Sequence, residues 1–80
     1  MKAIVNVYLK EGVLDPQGKA VHHALGSLGF NNVTDVRIGK QIVLQLDETD
    51  REKAMKELKE MAETLLANTV IEDYDIEIVE

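Results

Sequence analysis

The chain has 80 residues, nine Lys+Arg against fifteen Asp+Glu, and a formal charge of −6, so it makes one small acidic domain (1–80) and excludes a broad nucleic-acid surface, which needs clustered positive charge. It has no cysteine, which excludes disulfides, thiolate nucleophiles, iron–sulfur clusters and Cys-type zinc sites. No run has the form of a signal peptide or the roughly 20 apolar residues of a membrane span, so a cytoplasmic protein without a membrane partner is expected.

Residues 3 to 9, AIVNVYL, place Ala3, Val5, Val7 and Leu9 on one face and Ile4, Asn6 and Tyr8 on the other, the period of a strand. After the loop KEGVL, Asp15 and Pro16 mark a helix start. An Asp side chain accepts from free amides at an N-cap, and Pro suits the first helical position. Val21, Ala24, Leu25 and Leu28 form an apolar stripe at helical spacing, and Gly29 supplies the stop. Gly26, inside that helix, is expected to let another backbone approach.

Residues 33 to 46 read VTDVRI, GK, QIVLQL, which predicts a hairpin turning at Gly39-Lys40, with Val36 and Ile38 on the face of Ile42, Leu44 and Leu46. Thr49 and Glu52 have the spacing of a capping box at the head of a second helix. Its broad apolar face holds Ala54, Leu58, Met61 and Leu65, flanked by Met55, Ala62 and Leu66. Tyr74, Ile76 and Ile78 then alternate with acids in a last strand. The order β-α-β-β-α-β predicts an α+β open-faced two-layer sandwich of ferredoxin-like type, an antiparallel sheet with two helices on one face. The other face would carry Ile4, Asn6, Tyr8, Val33, Asp35, Arg37, Gln41, Val43 and Gln45, a mixture suited to partial cover by another chain.

The chemistry-bearing residues fail the spacing tests for catalysis. Gly12 and Gly18 enclose five residues, one too many for a phosphate-binding loop, and Ala20 replaces the hydroxyl that would reach magnesium. His22 and His23 sit about 100° apart around a helix, so they diverge rather than converge on a metal. Ser27 lies four residues after His23 but has no oriented carboxylate or oxyanion donors beside it. Glu52, Glu57, Glu60 and Glu63 read as a solvated helix face rather than a paired acid and base. No catalytic, cofactor-binding or metal-binding residue is therefore expected. The residues themselves describe a binding or subunit-type domain.

The runs VYLKEGVLDPQGKAVHHALGSLGF, VTDVRIGK and LLANTVIEDYDIE, in this order over nearly the whole chain, resemble the PurS family. That family is the small subunit of phosphoribosylformylglycinamidine synthase, in the fourth step of de novo purine synthesis. The resemblance implies a homodimer or higher homo-oligomer that bridges a glutaminase subunit and a large synthetase subunit and assists ammonia transfer between them. The complex converts formylglycinamide ribonucleotide, ATP and glutamine to formylglycinamidine ribonucleotide, ADP, phosphate and glutamate. ATP and magnesium would be used by the large subunit, with no cofactor on this chain. The family match, with exposed position at corners and turns, marks Asp15, Pro16, Gln17 and Gly18 and then Arg37, Gly39 and Lys40 as expected partner contacts. Asp15-Pro16 also reads as a helix cap and Gly39 as a turn residue. A small-ligand regulatory module on the same open-faced scaffold is the alternative function.

Overall fold

The computed structural model describes residues 1–79, so the expected domain 1–80 runs one residue, Glu80, outside the described range. Alternation in KAIVNVYL builds the central strand β1 (Lys2–Leu9), whose Ala3, Val5 and Val7 are fully buried. On one side β1 pairs antiparallel with β2 (Gly39–Gln45); on the other it pairs antiparallel with β3 (Glu72–Val79). The sheet order is β2-β1-β3. Ala3 stands between Leu44 and Ile78, and Val5 between Ile42 and Ile76, so the alternating apolar residues of all three strands share one face.

Helix α1 (Pro16–Ser27) joins β1 to β2, and α2 (Arg51–Met61) joins β2 to β3. Ala54 and Leu58 of α2 pack on the apolar face as its lid. This agrees with the expected antiparallel sheet and two helices. Helix α1 does not share the lid: within it only Gly18 is buried, and Val21 and Leu28 of its stripe remain exposed.

The expected hairpin at 33–46 does not form. Gly39 and Lys40 are the first two residues of β2, and residues 33–38 run without turn, bend or ladder partner. Register explains why. A two-residue turn at Gly39-Lys40 would set Ile38 opposite Gln41 and Val36 opposite Val43, yet Ile42 and Leu44 are the β2 residues that face the core. Nor does Gly39 take the positive φ that such turns need; among the described residues only Gly12 and Gly29 do. Gly39 serves close approach instead, since a Cβ there would lie 2.9 Å from the Val7 carbonyl oxygen.

Three further expectations are corrected. The N-cap of α2 is Asp50, which accepts from the Glu52 and Lys53 amides, rather than Thr49. Glu48 in turn accepts from the Thr49 and Asp50 amides, which draws Thr49 into the preceding loop. Leu65 does not join the apolar face of the second helix but is 82% exposed. After Met61 the helix widens into a π turn over Ala62–Leu66, closed by the Ala67 amide donating to the Ala62 carbonyl at 2.9 Å. The extra residue in that turn swings Leu65 outward and brings Ala67 into the core. Finally, nothing stands near Gly26, so no backbone of this chain uses the space it leaves.

Candidate functional site

The residues DPQG form the most constrained corner of the molecule. Asp15 is the N-cap of α1, with its side-chain Oδ1 accepting from the Gly18 amide at 2.9 Å and Pro16 at the first helical position. Its Oδ2 accepts from the Ile38 amide at 2.7 Å, 23 residues away in the chain. Asp15 is 5% exposed, and all its acceptor work is directed at backbone. The Ile38 amide first and the Gly18 amide second hold its carboxyl below the usual Asp value; burial opposes them, and the Arg37 charge adds to the lowering. Gly18 is required at this corner because a methyl there would overlap the Val36 carbonyl oxygen. At the far end of the same segment His22 Nε2 lies 2.8 Å from the Val33 carbonyl oxygen. Residues 33–38 are thus fastened along α1 at both ends.

The expected contact residues divide between two depressions on either side of the β1 terminus. Asp15, Gln17, Gly39 and Lys40 gather around a shallow cavity of about 250 Å³, together with Tyr8 and Glu72. Arg37 lies apart from them, in a second depression of about 400 Å³ with Asp35, Glu11 and Asp73. Tyr8 and Leu9 line both. The Arg37 guanidinium is committed to structure, donating to the Lys10 carbonyl at 3.1 Å and to the Leu9 carbonyl at 3.4 Å. Lys40 and Gln17 are exposed and have no such task. Pro16 is exposed at the helix start, whereas Gly18 is buried beneath Val36.

Sequence reasoning missed Tyr8 and Glu72 as neighbours of this corner, because only strand pairing brings them there. It also missed the bond from Ile38 to Asp15, for which no local pattern exists. His22 is engaged with a backbone carbonyl, and Ser27 Oγ donates to the His23 carbonyl oxygen at 3.1 Å rather than to its imidazole. Among the described residues no group of three His, Asp or Glu side chains is placed to hold a metal ion. The arrangement holds backbone and offers surface; it contains no paired nucleophile and base.

The open face of the sheet is polar and self-satisfied at its centre. Gln41 Nε2 donates to Asn6 Oδ1 at 3.1 Å, and Asn6 Nδ2 donates to Asp75 Oδ1 at 2.8 Å, one ladder across all three strands. Ile4 and Val43 pair beside it as the apolar part of that face.

Comparison with known proteins gives one consistent result. The family model described as PurS, phosphoribosylformylglycinamidine (FGAM) synthase, matches residues 2–80. The chain is 57% identical over 79 residues to the phosphoribosylformylglycinamidine synthase subunit PurS of Bacillus subtilis, covering 99% of this chain and 93% of that protein. The PurS subunit of Methanocaldococcus jannaschii is 46% identical over 77 residues, 96% of this chain and 93% of that one. In three dimensions the fold superposes on B. subtilis PurS with a TM-score of 0.86, covering 99% and 98% of the two chains at 57% identity. It superposes on a chain of PurLQS from Thermotoga maritima with a TM-score of 0.88, at 31% identity over 98% of this chain and 95% of that one.

Proposed function

The chain belongs to the PurS family of phosphoribosylformylglycinamidine synthase subunits, and from that premise we propose that it is the small, non-catalytic subunit of such a complex. The complex amidates formylglycinamide ribonucleotide with ammonia from glutamine at the cost of ATP. The match to PurS over residues 2–80 is the observation that carries this reading. The PurLQS structure of T. maritima supports placing the subunit between a glutaminase and a large synthetase. ATP and magnesium belong to the large subunit, and this chain carries no cofactor. Among the described residues no helix is long and apolar enough to cross a membrane; we place the complex in the cytoplasm, with its substrates.

A bridging subunit must present well-held surface to unlike chains. The DPQG corner suits that task, because the Asp15 bonds fix its backbone while Gln17 and Lys40 are left to solvent. We assign Gln17 and Lys40 as direct contacts. Asp15, Pro16, Gly18 and Gly39 shape the corner, and Arg37 braces the end of β1 beside it. The chain also associates with itself, since the exposed stripe of α1 has no cover of its own.

Reconstitution tests the role. This chain is mixed with purified glutaminase and synthetase subunits, and glutamine-dependent amidation is measured with and without it. Loss of coupled turnover on omission is expected. Full glutamine-dependent activity in its absence overturns the reading.

A further inference from the structure

The turn that leads into β3 breaks a local rule. The Ile71 amide donates to the Asn68 carbonyl at 3.0 Å, which closes a surface turn over Asn68–Ile71. Such positions ordinarily go to Gly, Asn, Asp or Ser. Here the third is Val70, a β-branched residue suited to strands. Val70 is 82% exposed. Leu65 is equally exposed but borders the apolar groove at Leu44 and Met61, whereas Val70 stands at a turn tip.

The turn is not loose. The Glu72 amide also donates to the Asn68 carbonyl, at 2.7 Å. The Val70 amide donates to Asn68 Oδ1 at 3.2 Å, and the Asn68 amide donates to Glu72 Oε1 at 2.7 Å. Asn68 and Glu72 are thus spent on the backbone of the turn, and Val70 is the apolar group it holds out. An apolar side chain on a backbone already fixed loses little freedom when a partner buries it, as an interface anchor requires.

The same turn is tied to the DPQG corner. The Ile71 carbonyl accepts from the Lys10 amide at 2.8 Å. The loop leaving Lys10 turns through Gly12, at φ 89°, and passes Leu14, 67% exposed, on its way to Asp15. Glu72 shares the depression of about 250 Å³ with Gln17 and Lys40. Val70, Leu14, Gln17 and Lys40 therefore belong to one end of the molecule, where Leu9 of β1 pairs with Glu72 of β3. Apolar side chains flanked by polar ones have the composition of an interface centre and its rim.

We propose that this turn is the apolar anchor by which the chain seats on the large synthetase subunit, with Val70 entering an apolar recess of that subunit and Gln17 and Lys40 forming the polar rim of the same contact. The proposal rests on the subunit role and the corner contacts assigned above. An unlike chain is the occupant because a second copy, meeting this end through a two-fold axis, would bring Glu11, Glu72 and Asp73 against themselves. The larger of the two unlike partners is assigned because the end is broad, built from the loop after β1, the start of α1, the start of β2 and the turn before β3.

Substitution at the turn tip tests the anchor. Val70→Ser is expected to leave the urea midpoint and the sedimentation mass of the isolated protein unchanged, since the side chain it shortens is exposed. It is expected to weaken binding to the purified synthetase subunit about tenfold or more in titration calorimetry. That loss should persist as salt is raised, unlike the loss at a charged rim residue. Val70→Ile keeps an apolar anchor and is expected to bind within about threefold of wild type. Asn68→Ala frees the Val70 amide, so faster amide exchange at Val70 and weaker binding are expected together. Wild-type binding by Val70→Ser, with weaker binding by Lys40→Glu or Gln17→Ala, overturns the anchor and leaves the corner contacts standing. A loss confined to binding of the glutaminase subunit overturns the choice of partner. Wild-type binding by all of these variants overturns anchor and corner together, while the subunit role itself stands or falls on reconstitution with the chain omitted.

Discussion

The Asp15 carboxylate and the Ile38 amide meet at 2.7 Å across 23 residues of chain, and this contact fastens the first turn of α1 to the segment that leads into β2. It works together with the Gly18 amide on the other carboxylate oxygen. Asp15→Ala removes both acceptors. Amide exchange at Ile38 and Gly18 should then accelerate roughly ten- to hundred-fold, in line with the strength of hydrogen bonds to charged groups. The β1 and β3 amides should keep their protection, because neither strand touches the corner except at its end. Unchanged exchange at Ile38 would remove Asp15 as the fastening residue.

Stability should fall in acid through two carboxyls. Asp15 is held low chiefly by the Ile38 and Gly18 amides, and Glu48 chiefly by the Asp50 and Thr49 amides, with Lys53 adding to the effect. Each binds its proton more weakly folded than unfolded. Their contribution is therefore complete above the unfolded values near pH 4 and is lost as pH falls through the lower folded ones. Urea midpoints measured from about pH 6 downward should begin to drop near pH 4. The double variant Asp15→Asn, Glu48→Gln should start from a lower midpoint and show a flatter acid limb. An equally steep limb in that variant would assign the acid sensitivity to other groups.

Local periodicity made β1, β3 and both helices legible, because each is specified by residues within one or two turns of one another. The DPQG corner was legible as a cap for the same reason. The failures have a common cause in contacts that no local pattern encodes. Alternation in VTDVRI and QIVLQ states which side of a strand is apolar but not which strand it joins, and the hairpin expectation supplied a partner that register forbids. Leu65 was misplaced because a helical stripe assumes 3.6 residues per turn, and the π turn at Ala62–Leu66 breaks that count. Of the seven expected contact residues the fold gathers four around one depression and leaves Arg37 in the next, a division set by the β1 terminus between them.

Gly39 should not tolerate a side chain. A Cβ would stand 2.9 Å from the Val7 carbonyl oxygen, inside the β1–β2 ladder where neither backbone can yield without disturbing its neighbours. Gly39→Ala is expected to destabilise the chain by about 1–3 kcal/mol, the usual cost of forcing atoms into a packed site. Urea unfolding of the variant measures it. A change within about 0.5 kcal/mol, typical of neutral surface sites, would show that Gly39 is there for another reason.

The two candidate caps of α2 can be separated by substitution. Asp50 accepts from the Glu52 and Lys53 amides, whereas Thr49 contributes its own amide to Glu48. Asp50→Ala should cost about 1 kcal/mol. Thr49→Ala keeps every one of these bonds and should stay within about 0.5 kcal/mol of the parent. Equal losses in the two variants would restore a capping role to the Thr49 side chain.

Lys40 and Arg37 should differ as contacts to the other subunits, although both are exposed cations beside Tyr8. Arg37 donates to two β1-terminal carbonyls, so Arg37→Glu disturbs the chain itself and weakens any complex indirectly. Lys40 shares a depression with Gln17 and Glu72, and its charge is free to meet an acidic partner. Lys40→Glu should leave the melting curve and the sedimentation mass of the isolated protein unchanged. It should weaken binding to the synthetase subunit roughly five- to ten-fold, and the difference should shrink as salt is raised, as for a contact at a solvated rim. Binding by titration calorimetry, with Gln17→Ala alongside, decides the point. If the Lys40 and Gln17 variants both bind like wild type, the DPQG corner faces solvent in the complex and the bridging surface lies elsewhere on the chain.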